Sequence, residues 1–291
     1  MKLPEAKLKK HFHSLNVSLY DTHRQTESCA LTYHENSKLS SWTARRLGDS
    51  ISRFFNPYTL ERASRPFKVH SGSEQIPLED YAYGYPPGNF FELTTQRRSS
   101  RSFRPYPISL NEIHKICHYS YGVTGEAPLG MGAEGNFRLR SVPSPGGLYP
   151  LEIYVAILNG AVPPGLYHYR PDTNALEVVR EGIDTEEMRR IIMAEPYITL
   201  QDASAVVFTT GILERVSIKY QERGYRFMLM EVGFVAQNIG LISEALGLGS
   251  CMVGSYLDDE VNRFLGIVDS SENIQNVVVL GKKAPHEDTG N

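Results

Sequence analysis

Arg97, Ser99 and Arg101 alternate along the run Arg97-Arg-Ser-Ser-Arg-Ser-Phe103. If the chain is extended there, two forked guanidinium groups and a hydroxyl converge on one anion, and a phosphate is the natural guest. Taken alone, such a run reads better as a solvated basic turn, so its company decides. Pro143-Ser-Pro-Gly-Gly-Leu-Tyr-Pro150 is a small-residue turn placed just before a strand, and Leu246-Gly-Leu-Gly-Ser-Cys-Met-Val-Gly254 is a second small-residue loop at the end of an apolar helix. Glycines in such loops let the backbone approach a flat ligand closely. The three elements together point to a phosphorylated planar cofactor.

Other constellations carry less. Gly130-Met-Gly-Ala-Glu-Gly135 matches a dinucleotide fingerprint in letters, but it follows Pro128 rather than a strand and runs into Asn136-Phe-Arg-Leu rather than a helix, so it reads as a surface loop. His114 and His118 have the i, i+4 spacing of a metal pair, yet no third ligand is nearby in sequence, and no metal is expected. Cys29, Cys117 and Cys251 are far apart, lack a CxxC pair and point to no base partner.

Several elements must position the cofactor loops. Ser109-Leu-Asn-Glu112 has capping-box spacing, and Leu110, Ile113, Ile116 and Cys117 repeat at helical intervals until Gly122. Short apolar runs at 152–158, 205–211 and 276–281 suit strands buried on both faces. Leu166-Tyr-His-Tyr169 and Leu176-Glu-Val-Val179 read as a hairpin, which predicts a mixed sheet. The stretch 226–246 predicts a helix apolar nearly all round, which must be covered by more than one neighbour. Residues 1–90 read as an N-terminal extension or small subdomain, 91–284 as the cofactor-binding domain and 285–291 as a flexible tail.

Composition bounds the function. Lys and Arg number 30 against 33 Asp and Glu, so no basic excess exists to meet a nucleic-acid backbone. The 41% hydrophobic and 22% charged residues are globular proportions that exclude wholesale disorder. The N-terminal MKLPEAKLKKHFHSL carries charges where a signal peptide needs an apolar core, and no window approaches the ~18 apolar residues of a membrane span. A cytoplasmic chain with reduced cysteines is expected.

Arg-x-Ser-x-Arg, Pro-Ser-x-Gly-x-Leu-Tyr-Pro, Lys219-Tyr220 followed by Arg223-Gly-Tyr-Arg226, and Gly233-x-x-x-Gln237-Asn238 leading into Leu246-Gly-Leu-Gly249 together resemble the SagB-type dehydrogenases. Tyr33-His-Glu-Asn-Ser-Lys-Leu39 is similar to that family's N-terminal segment, so the resemblance runs from about residue 31 to 283. Those proteins are FMN-dependent oxidases on the nitroreductase fold that convert azolines to azoles in natural-product peptides. The resemblance implies an α+β, three-layer fold with a mixed central sheet flanked by helices and FMN at a homodimer interface. Arg97, Ser99 and Arg101 would hold the phosphate and ribityl chain. Ser144 and Gly147 would line the flavin, and the backbone at Val253 and Gly254 would face its reactive edge. Gly147 departs from the asparagine of many nitroreductases, and the usual basic residues after the last strand are reduced to Lys282 and Lys283.

Lys219 and Tyr220 match the family's Lys-Tyr pair, proposed there to act on substrate. Thiazoline or oxazoline oxidation needs a base for the Cα proton while hydride leaves Cβ for flavin N5, with O2 as acceptor of the electrons. A lysine serves only if its surroundings lower its pKa from about 10.4. The expected partners are an azoline-containing peptide, a cyclodehydratase or carrier protein and a second copy of the chain, without nucleic acid or membrane. The competing readings are an NAD(P)H-dependent nitroreductase or quinone reductase, and a flavin-free scaffold in a peptide-modifying complex.

Overall fold

The computed structural model describes residues 29–268 and 271–285, so residues 1–28 and nearly all of the expected tail lie outside the described residues. Contacts divide the chain into a unit ending at Asp49 and a larger one from Ser50 onward. The first holds α1 (Cys29–Asn36), closed where the Ser37 hydroxyl donates to the Tyr33 carbonyl at 2.6 Å, and the start of α2 (Ser41–Phe54).

In the larger unit α3 (Pro57–Ala63) begins at Asn56, whose side chain accepts the Thr59 N–H, with Pro57 in the first turn where no N–H is needed. There follow β1 (Gln75–Pro77), α4 (Phe90–Gln96), β2 (Phe103–Arg104) and α5 (Leu110–Tyr121). The capping box forms as the sequence predicts, with Ser109 and Glu112 satisfying each other's backbone N–H. The hairpin β3 (Val123–Pro128) and β4 (Asn136–Arg140) has the glycine-rich run 130–135 as its loop. Then come β5 (Leu151–Ile157), β6 (Gly165–Arg170), β7 (Ala175–Glu181), α6 (Thr185–Ile191), β8 (Ala205–Ile212), α7 (Glu214–Tyr220), α8 (Arg223–Ala245), β9 (Gly249–Val253), α9 (Asp258–Phe264) and β10 (Glu272–Lys283).

The central sheet runs β1-β7-β6-β5-β8-β10-β2, with β9 also paired to β10. Every ladder is antiparallel, because hairpins join β5 to β6 and β6 to β7 while β8 lies between β5 and β10. The mixed character expected of the sheet is confined to isolated parallel bridges, Ser99 with Ser250 and Ile108 with Gly160. Leu151, Ile153 and Val155 face one layer with Ile113, Ile116, Val235 and Ile239 of α5 and α8. Tyr154 and Ala156 face the other, with Met188, Ile191, Val261 and Phe264 of α6 and α9. Helices thus cover both faces, giving three layers. The boundary drawn at residue 90 falls inside the larger unit, since β1 pairs with β7 and the Lys68 and His70 N–H groups reach sheet carboxylates. No helix among the described residues is long and apolar enough to cross a membrane.

A polar ladder crosses the sheet inside this apolar frame. His168 is fully buried, its Nε2 2.9 Å from Glu152 and its Nδ1 3.0 Å from Glu177. Arg170 donates to Glu177 at 2.7 Å and forks onto Asp172 at 2.8 and 2.6 Å. Farther along, Glu272 accepts from Thr210, Tyr154 and Lys68 at 2.7, 3.1 and 2.6 Å. Burial works against charge on His168, but hydrogen bonds to both carboxylates outweigh it and raise its pKa. Burial alone would likewise raise the Glu177 carboxyl, yet hydrogen bonds from His168, the His70 N–H and Arg170 bring it down to about 2.

A raised folded-state pKa means that the stability from His168 is complete below its ordinary 6.5 and is lost as pH rises through the folded value. His168→Gln leaves two buried carboxylates facing an uncharged group and should cost about 3–5 kcal/mol at pH 6. Urea unfolding at pH 6 and pH 9 checks this, with the deficit smaller at the higher pH.

Candidate functional site

The Arg97–Arg101 segment lies along the start of β9. Ser99 bridges Ser250, and the Ser100 N–H donates to the Ser250 carbonyl at 3.0 Å. A Cβ on Gly240 would lie 3.1 Å from Arg97 Cδ, so the glycine lets the arginine stem rest on α8. Arg97 forms no ion pair among the described residues, and the Arg101 carbonyl accepts the Thr199 N–H at 2.9 Å. Ser99 and Arg101 are exposed and Arg97 half-buried, so the strip presents its donors outward. From Ser250 the strand rises about 3.3 Å per residue, reaching Gly254 some ~13 Å on, and a Cβ there would meet nothing within 4 Å. Lys283 is committed to Glu244 at 2.8 and 3.0 Å, and Lys282 Nζ lies 5.4 Å from the Tyr106 ring centre.

The second pole is the turn before β5. The Gly147 N–H donates to the Ser144 carbonyl at 3.0 Å, and Gly146 and Gly147 sit at φ 70° and 66°, the left-handed region that a side chain disfavours. A Cβ on Gly146 would lie 2.8 Å from both Lys219 Nζ and Tyr220 Oη. The turn therefore meets the lysine and the tyrosine at one point. Lys219 is only 6% exposed, and its Nζ lies 4.6 and 4.5 Å from the centres of the Phe54 and Phe55 rings and 5.4 Å from that of Tyr220. Burial lowers the Lys219 pKa and raises that of Tyr220.

The support behind this turn is largely invisible in the sequence. Arg215, one helical turn before Lys219, donates to the Tyr149 carbonyl at 3.2 Å and pairs with Glu152 at 2.6 Å. The Ser144 hydroxyl accepts the Tyr149 N–H at 2.9 Å. Glu231 of α8 is fully buried, with one oxygen accepting from Tyr121 Oη at 2.8 Å. Burial pushes its carboxyl up to about 7, against the Ser144 and Tyr121 hydroxyls and the charges of Arg140 and Arg215. Glu231 was legible only as a charge inside an apolar helix, and Phe54 and Phe55 gave no chemical signal at all.

His114 and His118 stack at 5.2 Å, each with an unpartnered buried Nδ1, and neither joins a group of three potential metal ligands among the described residues. Such a group does form at His70, His168 and Glu177, but both His168 nitrogens are held by carboxylates. Cys117 is buried and its thiol is pushed up to about 12 by burial, which leaves it unreactive near neutral pH.

The nitroreductase family model matches residues 94–282. A Methanocaldococcus jannaschii protein described as a "putative nitroreductase", MJ1384, is 32% identical over 195 residues, covering 67% of this chain and 86% of that protein. The chain belongs to the nitroreductase family. Proteins of this family are typically flavin-dependent oxidoreductases. The Escherichia coli microcin B17-processing protein McbC is also similar, 31% identical over 133 residues, which are 44% of this chain and 48% of McbC. The fold is shared with a solved structure from Anabaena variabilis, also described as a nitroreductase, at a TM-score of 0.66 and 24% identity over 86% of this chain and 45% of that one. The chain thus spans about half the length of McbC and of the Anabaena protein.

The glycine contacts give a direct test. Gly146→Ala forces a left-handed alanine onto Lys219 and Tyr220 and should cost at least about 1–2 kcal/mol. Gly254→Ala, which meets open space, should be neutral within about 0.5 kcal/mol. Urea denaturation of the two variants checks the contrast.

Proposed function

We propose that this protein is an FMN-dependent oxidase that converts thiazoline or oxazoline rings of a peptide to thiazoles or oxazoles. The observation that carries the reading is the meeting of buried Lys219 Nζ and Tyr220 Oη over the Gly146 turn, beside the Phe54 and Phe55 rings. The similarity to a microcin B17-processing protein supports a peptide as substrate.

The donor set fits FMN. Arg97, Ser99 and Arg101 offer charge-assisted hydrogen bonds to a phosphate, and β9 leads from them past buried Val253 to Gly254, where a Cβ would meet open space. Ser144 and Gly147 stand elsewhere. Gly240, which carries Arg97, and Glu231, which lies behind Ser144, are nine residues apart, about two and a half helical turns, and so on opposite sides of α8. Leu229, Met230 and Phe234 form a further, exposed apolar face of that helix. A homodimer packed on this face would bring one copy's phosphate strip to its partner's turn.

FMN, when bound, supplies the acceptor for the hydride leaving Cβ, and O2 the final acceptor. The protein's own part is to hold the ring and move a proton. Neutral Lys219 takes the Cα proton, and its ammonium then faces the Phe54, Phe55 and Tyr220 rings, which favour the cation. Tyr220 orients the amine or shares the proton. A cyclodehydratase or carrier protein would deliver the substrate, in the cytoplasm. The similarity to MJ1384 favours one other reading, an NAD(P)H-dependent reductase of nitro groups or quinones.

Incubation with a thiazoline peptide should give a two-hydrogen mass loss, whereas rapid flavin bleaching by NADPH under nitrogen with the peptide unchanged would favour the reductase. Lys219→Ala should keep the flavin spectrum and lose about 10²- to 10⁴-fold in turnover, the contribution of a positioned base. The wild-type rate should rise with pH through the lysine's lowered pKa, and that limb should vanish in the variant. Arg97→Ala should weaken FMN binding by about 2–5 kcal/mol, read by flavin fluorescence on dilution.

A further inference from the structure

The turn under Lys219 and Tyr220 is held at both ends by one carboxyl group. At its front, Ser144 lies beside Glu231 and accepts the Tyr149 N–H at 2.9 Å. At its back, Tyr121 Oη accepts the Leu151 N–H at 3.0 Å and donates to Glu231 Oε1 at 2.8 Å. Glu231 Oε2 is buried without a hydrogen-bond partner, a costly arrangement for an oxygen that serves only to fill space. Apolar residues of the same size would stabilise α8 better than an acid in that position.

We propose that Glu231 is a positioning residue for the candidate site, acting through Ser144 and Tyr121 to set Gly146 and Gly147 against Lys219 and Tyr220. The inference rests on the reading of Lys219 and Tyr220 as the reacting pair. It adds a second ionisable group to a site whose chemistry needs only the first. The groups facing the carboxyl are Tyr121 from α5, Arg140 from β4, Tyr149 and Ser144 of the turn, and Arg215 from α7. Arg140 donates from Nη2 to the Pro66 carbonyl at 2.9 Å and lies over the faces of Tyr121 and Tyr149, with ring centres 4.3 and 4.9 Å away, while its Nε and Nη1 make no hydrogen bond among the described residues. Arg215 is bound to Glu152 at 2.6 Å. Neither cation bonds the carboxyl, so burial prevails and Glu231 changes charge near neutral pH. Because Oε1 already accepts from Tyr121, the proton of the neutral acid belongs on Oε2. Its loss puts an unpaired charge behind the turn, and the turn yields.

The test reads Lys219 directly, without turnover. The whole protein is labelled briefly with acetic anhydride at pH 6 and pH 8, and modification of Lys219 is measured by mass spectrometry against an exposed lysine, Lys38. Glu231→Ala should expose Lys219 and speed its labelling about fivefold at pH 6, the effect of a contact worth a small fraction of total stability. Glu231→Gln, which keeps the shape without the charge, should stay near the wild-type rate at pH 6 and lack the extra wild-type increase at pH 8. Ser144→Ala, which removes a hydroxyl favouring the charged form, should shift that increase to higher pH. In azoline turnover the alanine variant should lower kcat about tenfold with KM unchanged, and the glutamine variant should rescue it at pH 6. Wild-type Lys219 labelling in both Glu231 variants at both pH values would overturn the proposal. The expected labelling pattern in a protein that leaves azolines untouched would support the positioning role and reject the oxidase reading alone.

Discussion

The guanidinium of Arg215 joins two systems that would otherwise be independent. One of its nitrogens pairs with Glu152, the end of the carboxylate and histidine ladder buried in the sheet, and another holds the Tyr149 carbonyl at the end of the glycine turn. Lys219 follows it by one turn of the same short helix. The position of the lysine is therefore fixed from the sheet, through an ion pair shielded from solvent, rather than by α7 itself. Seven residues of helix have little stability of their own and must borrow it from packing.

Burying so much charge is costly, and the fold meets the cost by pairing. Glu152, His168, Glu177, Arg170 and Asp172 alternate in sign along adjacent strands, so each charge has an opposite neighbour within 3.0 Å. Glu231, like Arg140 and Lys219, is buried without an ion pair among the described residues. It faces Arg140 and Arg215 without bonding either, and it is the group whose charge state stays open near neutral pH. The contrast separates a rigid base from an adjustable turn above it.

Parts of this arrangement were legible in the sequence for identifiable reasons. The Ser109–Glu112 box and the 110–117 periodicity specify α5 because capping and amphipathicity are local. The hairpin at 166–179 is local too. The long helix begins at Arg223 rather than 226, because Gln221 at φ 51° breaks the chain from α7 just before it. The arginine strip and the glycine turn were visible as motifs, and the structure places each against its own end of α8. The ladder was not visible. Glu152 and His168 sit in runs that read only as buried strands, and their pairing depends on a register between β5 and β6 that no local signal sets. Phe54 and Phe55 lie in a stretch whose composition suggested an extension, and their role arises only from long-range packing on Lys219.

In the proposed homodimer the phosphate strip of one copy and the Lys219 turn of its partner make one oxidase site. Co-expression of Arg97→Ala and Lys219→Ala chains, followed by assay of the heterodimers on a thiazoline peptide without added FMN, tests it. In a heterodimer one of the two composite sites keeps both residues, so a statistical mixture should recover about a quarter of wild-type azoline oxidation although each parent is nearly inactive. Heterodimers that form yet show no activity above the parents would place both residues in a site within one chain and contradict the account.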